Sequence, residues 1–220
     1  MQISRRVDLL VLIIVVLING PAPVQADWAL EVFGGFPVTP ARTVHIKLDS
    51  GENIELYAPM KSKPFKMPFY YDQRLIHWSA DGKAGWALDF MHHKLILKEP
   101  TDDVQDFQLT NGYNMLTVQR LWKKGETVLM AGAGVVITHP ESTIHWRTFW
   151  EEGGLFNWGY FPSGPVVIVG AGRQLRLNDR FYVAGDVRGS LSYVDVPVVE
   201  GRATMTDVSL HFFGGVGVVF

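Results

Sequence analysis

The chain has 220 residues, a formal net charge of −2, 47% apolar and 12% aromatic residues, 22 glycines and no cysteine. The length suits one domain, the balanced charge gives no footprint for nucleic acid, and the absent cysteines exclude disulfides and a lipoprotein-type anchor site. Beyond the N-terminus no stretch approaches 18 continuous apolar residues, so no helical membrane span is expected.

Arg5 and Arg6 precede an apolar run from Leu9 to Ile18, and Val24-Gln25-Ala26 precede Asp27. A basic start, a short apolar run and small residues, in that order, predict a secretory signal peptide over residues 1–26. Residues 27–220 are then the folded part.

The first expected strand runs from Trp28 to Phe36, with Trp28, Leu30, Val32 and Phe36 on one face and Glu31 on the other. Residues 37–66 form a long segment that holds a hairpin: Thr43 to Leu48, the turn Asp49-Ser50-Gly51-Glu52, and Asn53 to Tyr57. Pro59, Pro64 and Pro68 follow, and proline does not sit in a paired central strand. A second strand spans about Met67 to Ser79. After the turn Asp81-Gly82-Lys83 a third, Ala84 to Leu97, alternates Trp86, Leu88 and Phe90 with Asp89, Met91 and His93. Acidic residues and Pro100 make Glu99 to Phe107 a loop. The fourth strand spans about Thr110 to Trp122, and Lys123-Lys124-Gly125-Glu126 turns the chain into the fifth, Thr127 to Thr138. Residues 139–164 carry no period and are read as a second long segment. The sixth strand is Pro165 to Leu177, the turn is Asn178-Asp179, and the seventh strand is Arg180 to Val194.

After a loop over residues 195–203, the eighth strand, Thr204 to Phe220, shows the cleanest pattern. Val208, Leu210, Phe212, Gly214, Val216, Val218 and Phe220 form an apolar file, whereas Asp207, Ser209 and His211 lie on the other. Period-two alternation over this length exceeds the usual strand of about 5–6 residues and fits a wall between lipid and a polar interior. Turns at 81–83, 123–126 and 178–179 fall on one side, and the longer segments fall on the other. The expectation is an all-β, eight-stranded antiparallel transmembrane up-and-down β-barrel. Closure is required because lipid cannot satisfy an open edge, and eight strands leave an interior just wide enough for side chains.

The inward files collect Glu31, Asp89, Arg176, Asp186, Arg188, Asp207 and His211, with Gln119, as a polar network that fills the lumen. Charges facing a narrow interior must be paired or hydrogen-bonded. Same-face neighbours are about 6.6 Å apart along a strand, too far for Asp207, Ser209 and His211 to form a triad by themselves. The outer rim gathers His92, His93, Lys94, Asn111, Asn114, His139, Glu141, Ser142 and His145. Of these, His93, His139, Glu141 and Ser142 are the candidate catalytic set, because imidazole, carboxylate and hydroxyl together can activate a nucleophile against an ester. The alternatives are interfacial anchoring and, from the histidines beside oxygen ligands, a metal site. No spacing is diagnostic of a metal, and none is assigned; no cofactor is expected.

With its signal peptide, eight strands and terminal Phe220, the chain resembles the small outer-membrane barrels, a group that includes the OmpA-type and OmpW-like proteins and the lipid A-modifying enzymes PagP and PagL. The resemblance implies a cell outer-membrane location, insertion by the barrel-assembly machinery, and contact with outer-membrane lipid and lipopolysaccharide. It leaves two functions to weigh. One is a non-enzymatic surface or envelope barrel, expected as a monomer. The other is a lipid A or phospholipid acyl-ester hydrolase or acyltransferase that uses the rim residues. Small residues on adjacent strands, Gly132, Gly134, Gly170 and Gly172, are candidates for a gap that admits an acyl chain.

Overall fold

The computed structural model describes residues 28–150 and 153–220; the expected signal peptide lies outside the described residues. The described chain holds thirteen strands: β1 (Trp28–Val38), β2 (Arg42–Leu48), β3 (Asn53–Ala58), β4 (Met60–Lys61), β5 (Tyr71–Trp78), β6 (Ala84–Leu97), β7 (Val104–Lys124), β8 (Thr127–Thr138), β9 (Glu141–Ile144), β10 (Arg147–Phe149), β11 (Phe161–Arg176), β12 (Phe181–Val198) and β13 (Gly201–Val219). Eight of them, β1, β5, β6, β7, β8, β11, β12 and β13, pair antiparallel in that order. β1 closes the ring by pairing both β13 and β5. The barrel expected from alternation is present.

Three tight turns join strands at one end. In the first, Ser79 Oγ donates to Asp81 Oδ1 at 2.6 Å and the Lys83 amide donates to the same oxygen at 3.1 Å, an Asx-type lock that sets the register of β5 against β6. Longer connections gather at the other end. There the β2–β3 hairpin adds to the edge of β13, and the β9–β10 hairpin adds to β7.

Three ring strands are much longer than a bilayer needs. β7 has 21 residues, β12 has 18 and β13 has 19, against about 9–11 for a tilted spanning strand. The excess lies at the long-connection end, where the polarity of the wall inverts. Along β12 the inward file begins Tyr182, Asp186, Arg188, Ser190, Ser192, then becomes Val194, Val196 and Val198, all buried. On β13 it passes from His211, Ser209 and Asp207 to Met205 and Ala203. On β7 it passes from Gln119 and Thr117 to Leu109 and Phe107. The outward file does the reverse: Val187, Leu191 and Tyr193 are exposed apolar residues, whereas Asp195 and Arg202 beyond them form a surface ion pair at 2.8 Å.

Below the inversion the wall is polar inside and apolar outside, as lipid demands. Above it, the apolar residues are inside, as water demands. The outward apolar run of β12, Phe181 to Tyr193, is about 40 Å long at about 3.3 Å per residue, and tilting by about 45° makes it about 28 Å tall, close to the ~25 Å apolar band of such barrels. Trp28, Trp86 and Trp122 are exposed near the short-turn end, where aromatic rings mark a membrane–water interface.

Several boundaries differ from expectation. Residues 104–109 are strand, not loop. Above the lipid, Val104, Phe107 and Leu109 pack inward, and β9 covers β7, so the acidic neighbours face water without breaking the ladder. Residues 195–203 are mostly strand too: β12 and β13 run on as a hairpin to the Val198–Gly201 pair, with a turn at residues 199–200. The second expected strand begins only at Tyr71. Residues 139–164, expected to be unpatterned, hold β9, β10 and the start of β11.

Candidate functional site

Two polar regions stand out, one inside the wall and one on it. Inside, Arg188 of β12 grips three carboxylates. Its Nη1 and Nη2 each lie 3.0 Å from Asp72, its Nη1 lies 2.8 Å from Asp89, and its Nε and Nη2 lie 3.1 and 2.8 Å from Asp186. β6, which carries Asp89, is diametrically opposite β12 in the ring. Arg74 Nε donates to Glu31 at 2.6 Å, and its Nη2 lies 2.9 Å from Asp186. Glu31 also accepts from Gln174 at 2.7 Å and from the Tyr182 hydroxyl at 2.8 Å. The Phe33 ring sits 5.3 Å from both guanidinium carbons. All six charged side chains are buried.

Higher in the lumen the hydrogen bonds continue. His211 lies 2.8 Å from the Tyr70 hydroxyl through Nδ1 and 2.8 Å from Ser190 Oγ through Nε2. Ser209 Oγ donates to Asp207, which pairs with Arg42, and the Tyr113 hydroxyl meets Ser192 Oγ at 2.6 Å across the barrel. Above this layer sits the apolar core of the extension, with Val44, Ile46, Phe107 and Val196. Side chains from facing strands thus meet inside the barrel at several levels.

Of the residues expected on the inward files, Glu31, Asp89, Asp186, Arg188, Asp207 and His211 are buried, with the partners given above. Arg176 is the correction: it has the inward parity but sits past the end of the lumen and is exposed, and Gln174, one step inside, takes the place beside Glu31. Asp72 and Arg74, central to the network, escape a reading of the sequence because the second strand alternates too poorly to show its register. The four glycines do not open a gap. A Cβ at Gly134 would come within 1.9 Å of the Leu116 carbonyl oxygen, and one at Gly172 within 1.9 Å of Asp186 Oδ1, so wall and network already occupy that space.

The four rim residues proposed from sequence are divided by the wall. His93 points inward among the Tyr70, Tyr113 and His211 rings, with centroids 5.5–5.8 Å away. Ser142 is buried under the extension, where its Oγ accepts from the Val199 amide at 3.1 Å. His139 and Glu141 do stay together, with Nδ1 3.9 Å from Oε1. They lie on the outer side, where Glu141 also accepts from Gln108 and Asn111. The serine expected to serve as nucleophile is thus on the far side of the wall from this imidazole.

Outside the wall, the second region is a groove of about 950 Å³. Its floor is a row across four strands set by register: Tyr71 opposite His92, His92 opposite Asn114, and Asn114 opposite Ile137. The His92 ring stacks on Tyr71 with centroids 5.2 Å apart. Its Nδ1 donates to Asn114 Oδ1 at 2.7 Å, which leaves Nε2 as an acceptor, since a neutral imidazole carries one proton. Nε2 is buried and has no partner among the described residues. One flank is the turn of residues 153–160, closed by the Leu155 amide donating to the Tyr160 carbonyl at 2.6 Å. Phe156 and Asn157 there have φ of 55° and 58°, the paired positive angles of a type I′ turn. That turn holds Phe156 and Trp158 outward, at 80% and 60% exposure.

The other flank is Pro68, in a stretch where Phe65, Met67 and Phe69 are exposed and Lys61, Lys63 and Lys66 precede it. Lys94, two residues above His92 on the outward file, donates through Nζ to the Lys66 carbonyl at 2.7 Å. Lys94 thus joins the strand wall to a segment that carries Lys61, Lys63 and Lys66. His92 and Asn114 are legible in the sequence as rim residues, but their pairing depends on a register the sequence does not reveal.

No family model and no curated protein matches the chain. Among solved structures, the chain is similar to the outer membrane protein AlkL in lipid bilayers, at 13% identity over 92% of this chain and 95% of that one, with a TM-score of 0.49. It is similar to Neisserial surface protein A at 11% identity, over 89% and 98% of the two chains, with a TM-score of 0.41. It is also similar to the attachment invasion locus protein Ail of Yersinia pestis at 11% identity, over 90% and 100%, with a TM-score of 0.39. The assignment of the barrel rests on this chain's own strand pairing.

Proposed function

We propose that this chain is an outer-membrane surface barrel that contacts lipopolysaccharide and presents a rigid β-extension outside the membrane, with no transport path through it. The observation that carries this reading is the inversion of wall polarity above a lumen closed by cross-barrel ion pairs. A conducting barrel needs a wet interior, whereas here side chains from opposite strands meet at hydrogen-bond distance. The extension is fixed by backbone pairing of β2 to β13 and of β9 to β7, so it offers a shaped surface outside the membrane. The acyl-ester alternative finds no support in the rim set, because His93 and Ser142 face away from His139 and Glu141.

Planar-bilayer recording of the purified, folded barrel together with proteolysis of intact cells tests the reading. The expected result is an absence of steady conductance, with cleavage from outside confined to segments above the inversion, such as the exposed stretch around Phe65. Steady ion conductance, or cleavage of the short turns from outside, would overturn it.

A further inference from the structure

The groove on the outer wall has a chemistry that the lumen does not share. It lies where the outward file changes from apolar to polar, so its lower wall faces acyl chains and its upper margin faces head groups. Phe90, two residues below His92 on β6, lines the lower side, Tyr71 and Ile137 add apolar surface at the ends of the floor row, and the turn at 155–158 supplies two exposed aromatic rings. His92 lines the floor, and its Nε2 is a buried acceptor without a partner among the described residues. Leaving a buried polar atom unpaired is unfavourable, so such an atom beside a groove marks a position where a ligand donor belongs. About 6.6 Å above it along the strand stands Lys94, whose Nζ donates to the backbone carbonyl of Lys66, three residues after Lys63.

Resting on the reading of a barrel that contacts lipopolysaccharide, we propose that this groove is a binding site for the phosphorylated glycolipid of the outer leaflet. The acyl chains lie against Phe90 and Ile137 beneath Phe156 and Trp158. A sugar hydroxyl donates to His92 Nε2, and Asn114 holds the imidazole in the tautomer that accepts it. The phosphate meets Lys63, Lys66 and Lys94. A phosphate charge suits three lysines on one segment and its neighbouring strand, and aromatic rings beside them are suited to an interface where one side is apolar and the other wet. The occupant is thus anionic, amphipathic and hydroxyl-bearing, a combination that a zwitterionic phospholipid does not offer.

The test uses the whole folded barrel in detergent micelles and measures binding of lipid A, of the same lipid A after phosphatase treatment, and of phosphatidylcholine. Wild type is expected to prefer lipid A to the dephosphorylated form by about tenfold or more, and to bind phosphatidylcholine weakest. Changing Lys63, Lys66 and Lys94 together to Gln abolishes the preference for the phosphorylated form. His92→Phe, which keeps a stacking ring but no acceptor, weakens both forms of lipid A alike by about fivefold to tenfold, the worth of about one hydrogen bond. His92→Gln, able to accept, recovers part of that loss. Each variant is scored only if it keeps the heat-modifiable gel mobility of a folded barrel, and all four side chains are outside the lumen network. Equal affinity of wild type and the triple variant for lipid A overturns the proposal, as does lipid A binding no tighter than phosphatidylcholine. If the wild-type barrel folds, does not conduct and yet binds no lipid A, the groove assignment fails while the membrane-barrel reading stands. Conductance by the same preparation would instead remove the reading on which the proposal rests.

Discussion

Replacing Arg188 with Leu would remove the side chain that ties β12 to β5 and β6. Three of its nitrogens contact three carboxylates at 2.8–3.1 Å, and every side chain involved is shielded from solvent. Asp89 suffers most: Oδ2 is held by Arg188, and Oδ1 has no partner among the described residues. Removing one member of a buried ion pair costs about 3–5 kcal/mol, because the remaining charge is stranded. Arg188 serves three carboxylates while Arg74 still reaches Asp186, so the upper part of that range is expected. With a urea slope of about 2 kcal/mol per molar, the unfolding midpoint falls by about 2 M. Urea unfolding in lipid vesicles, followed by tryptophan fluorescence, measures this. Adding Asp89→Asn to Arg188→Leu removes one stranded charge and is expected to return part of the loss, a sign that no packing argument gives. A loss under about 1 kcal/mol for Arg188→Leu, or a double variant less stable than the single one, would refute the role given to the lumen charges.

Other consequences are simpler to state. Gly134→Val brings a Cβ within 1.9 Å of the Leu116 carbonyl oxygen and 2.7 Å of the Thr117 Cα, backbone atoms that cannot step aside; a loss of about 1–3 kcal/mol in the same unfolding assay is expected. At Gly189, which faces outward, a Cβ would meet nothing within 4 Å, and Gly189→Ala leaves the stability within about 0.5 kcal/mol. Mass spectrometry of lipid A from cells with and without the protein is expected to show the same acyl pattern, and His139→Ala is expected to change nothing; a protein-dependent loss or gain of an acyl chain would restore the ester chemistry set aside above.

How far the sequence foretells this molecule depends on what faces each strand. β8 is bounded correctly at Thr127 and Thr138, and the β2–β3 hairpin nearly so, because a single environment acts along each face. The files of β12 and β13 are assigned correctly where one side meets lipid. The same strands are ended too early at the polarity inversion, since Val194, Val196 and Val198 face inward just where apolar residues are expected outward. A period-two pattern says that two faces differ, and it does not say which solvent each one meets. Arg176 fails for a related reason: parity selects a face, and only the position of the barrel rim decides whether that face is still enclosed. The groove is hidden differently. Its floor combines Tyr71, His92, Asn114 and Ile137 from four strands, and only the registers bring them level.

The inversion itself is the central claim, and the absence of native cysteine makes it directly measurable. Single cysteines placed along the outward file of β12, at Val183, Val187, Leu191, Asp195 and Pro197, would be spin-labelled in lipid vesicles and compared for access to oxygen and to a water-soluble nickel complex. Oxygen-dominated access is expected at Val183, Val187 and Leu191, with a change to the nickel complex between Leu191 and Asp195. Access to the nickel complex at all five positions would contradict the inversion, because the apolar belt would then face water.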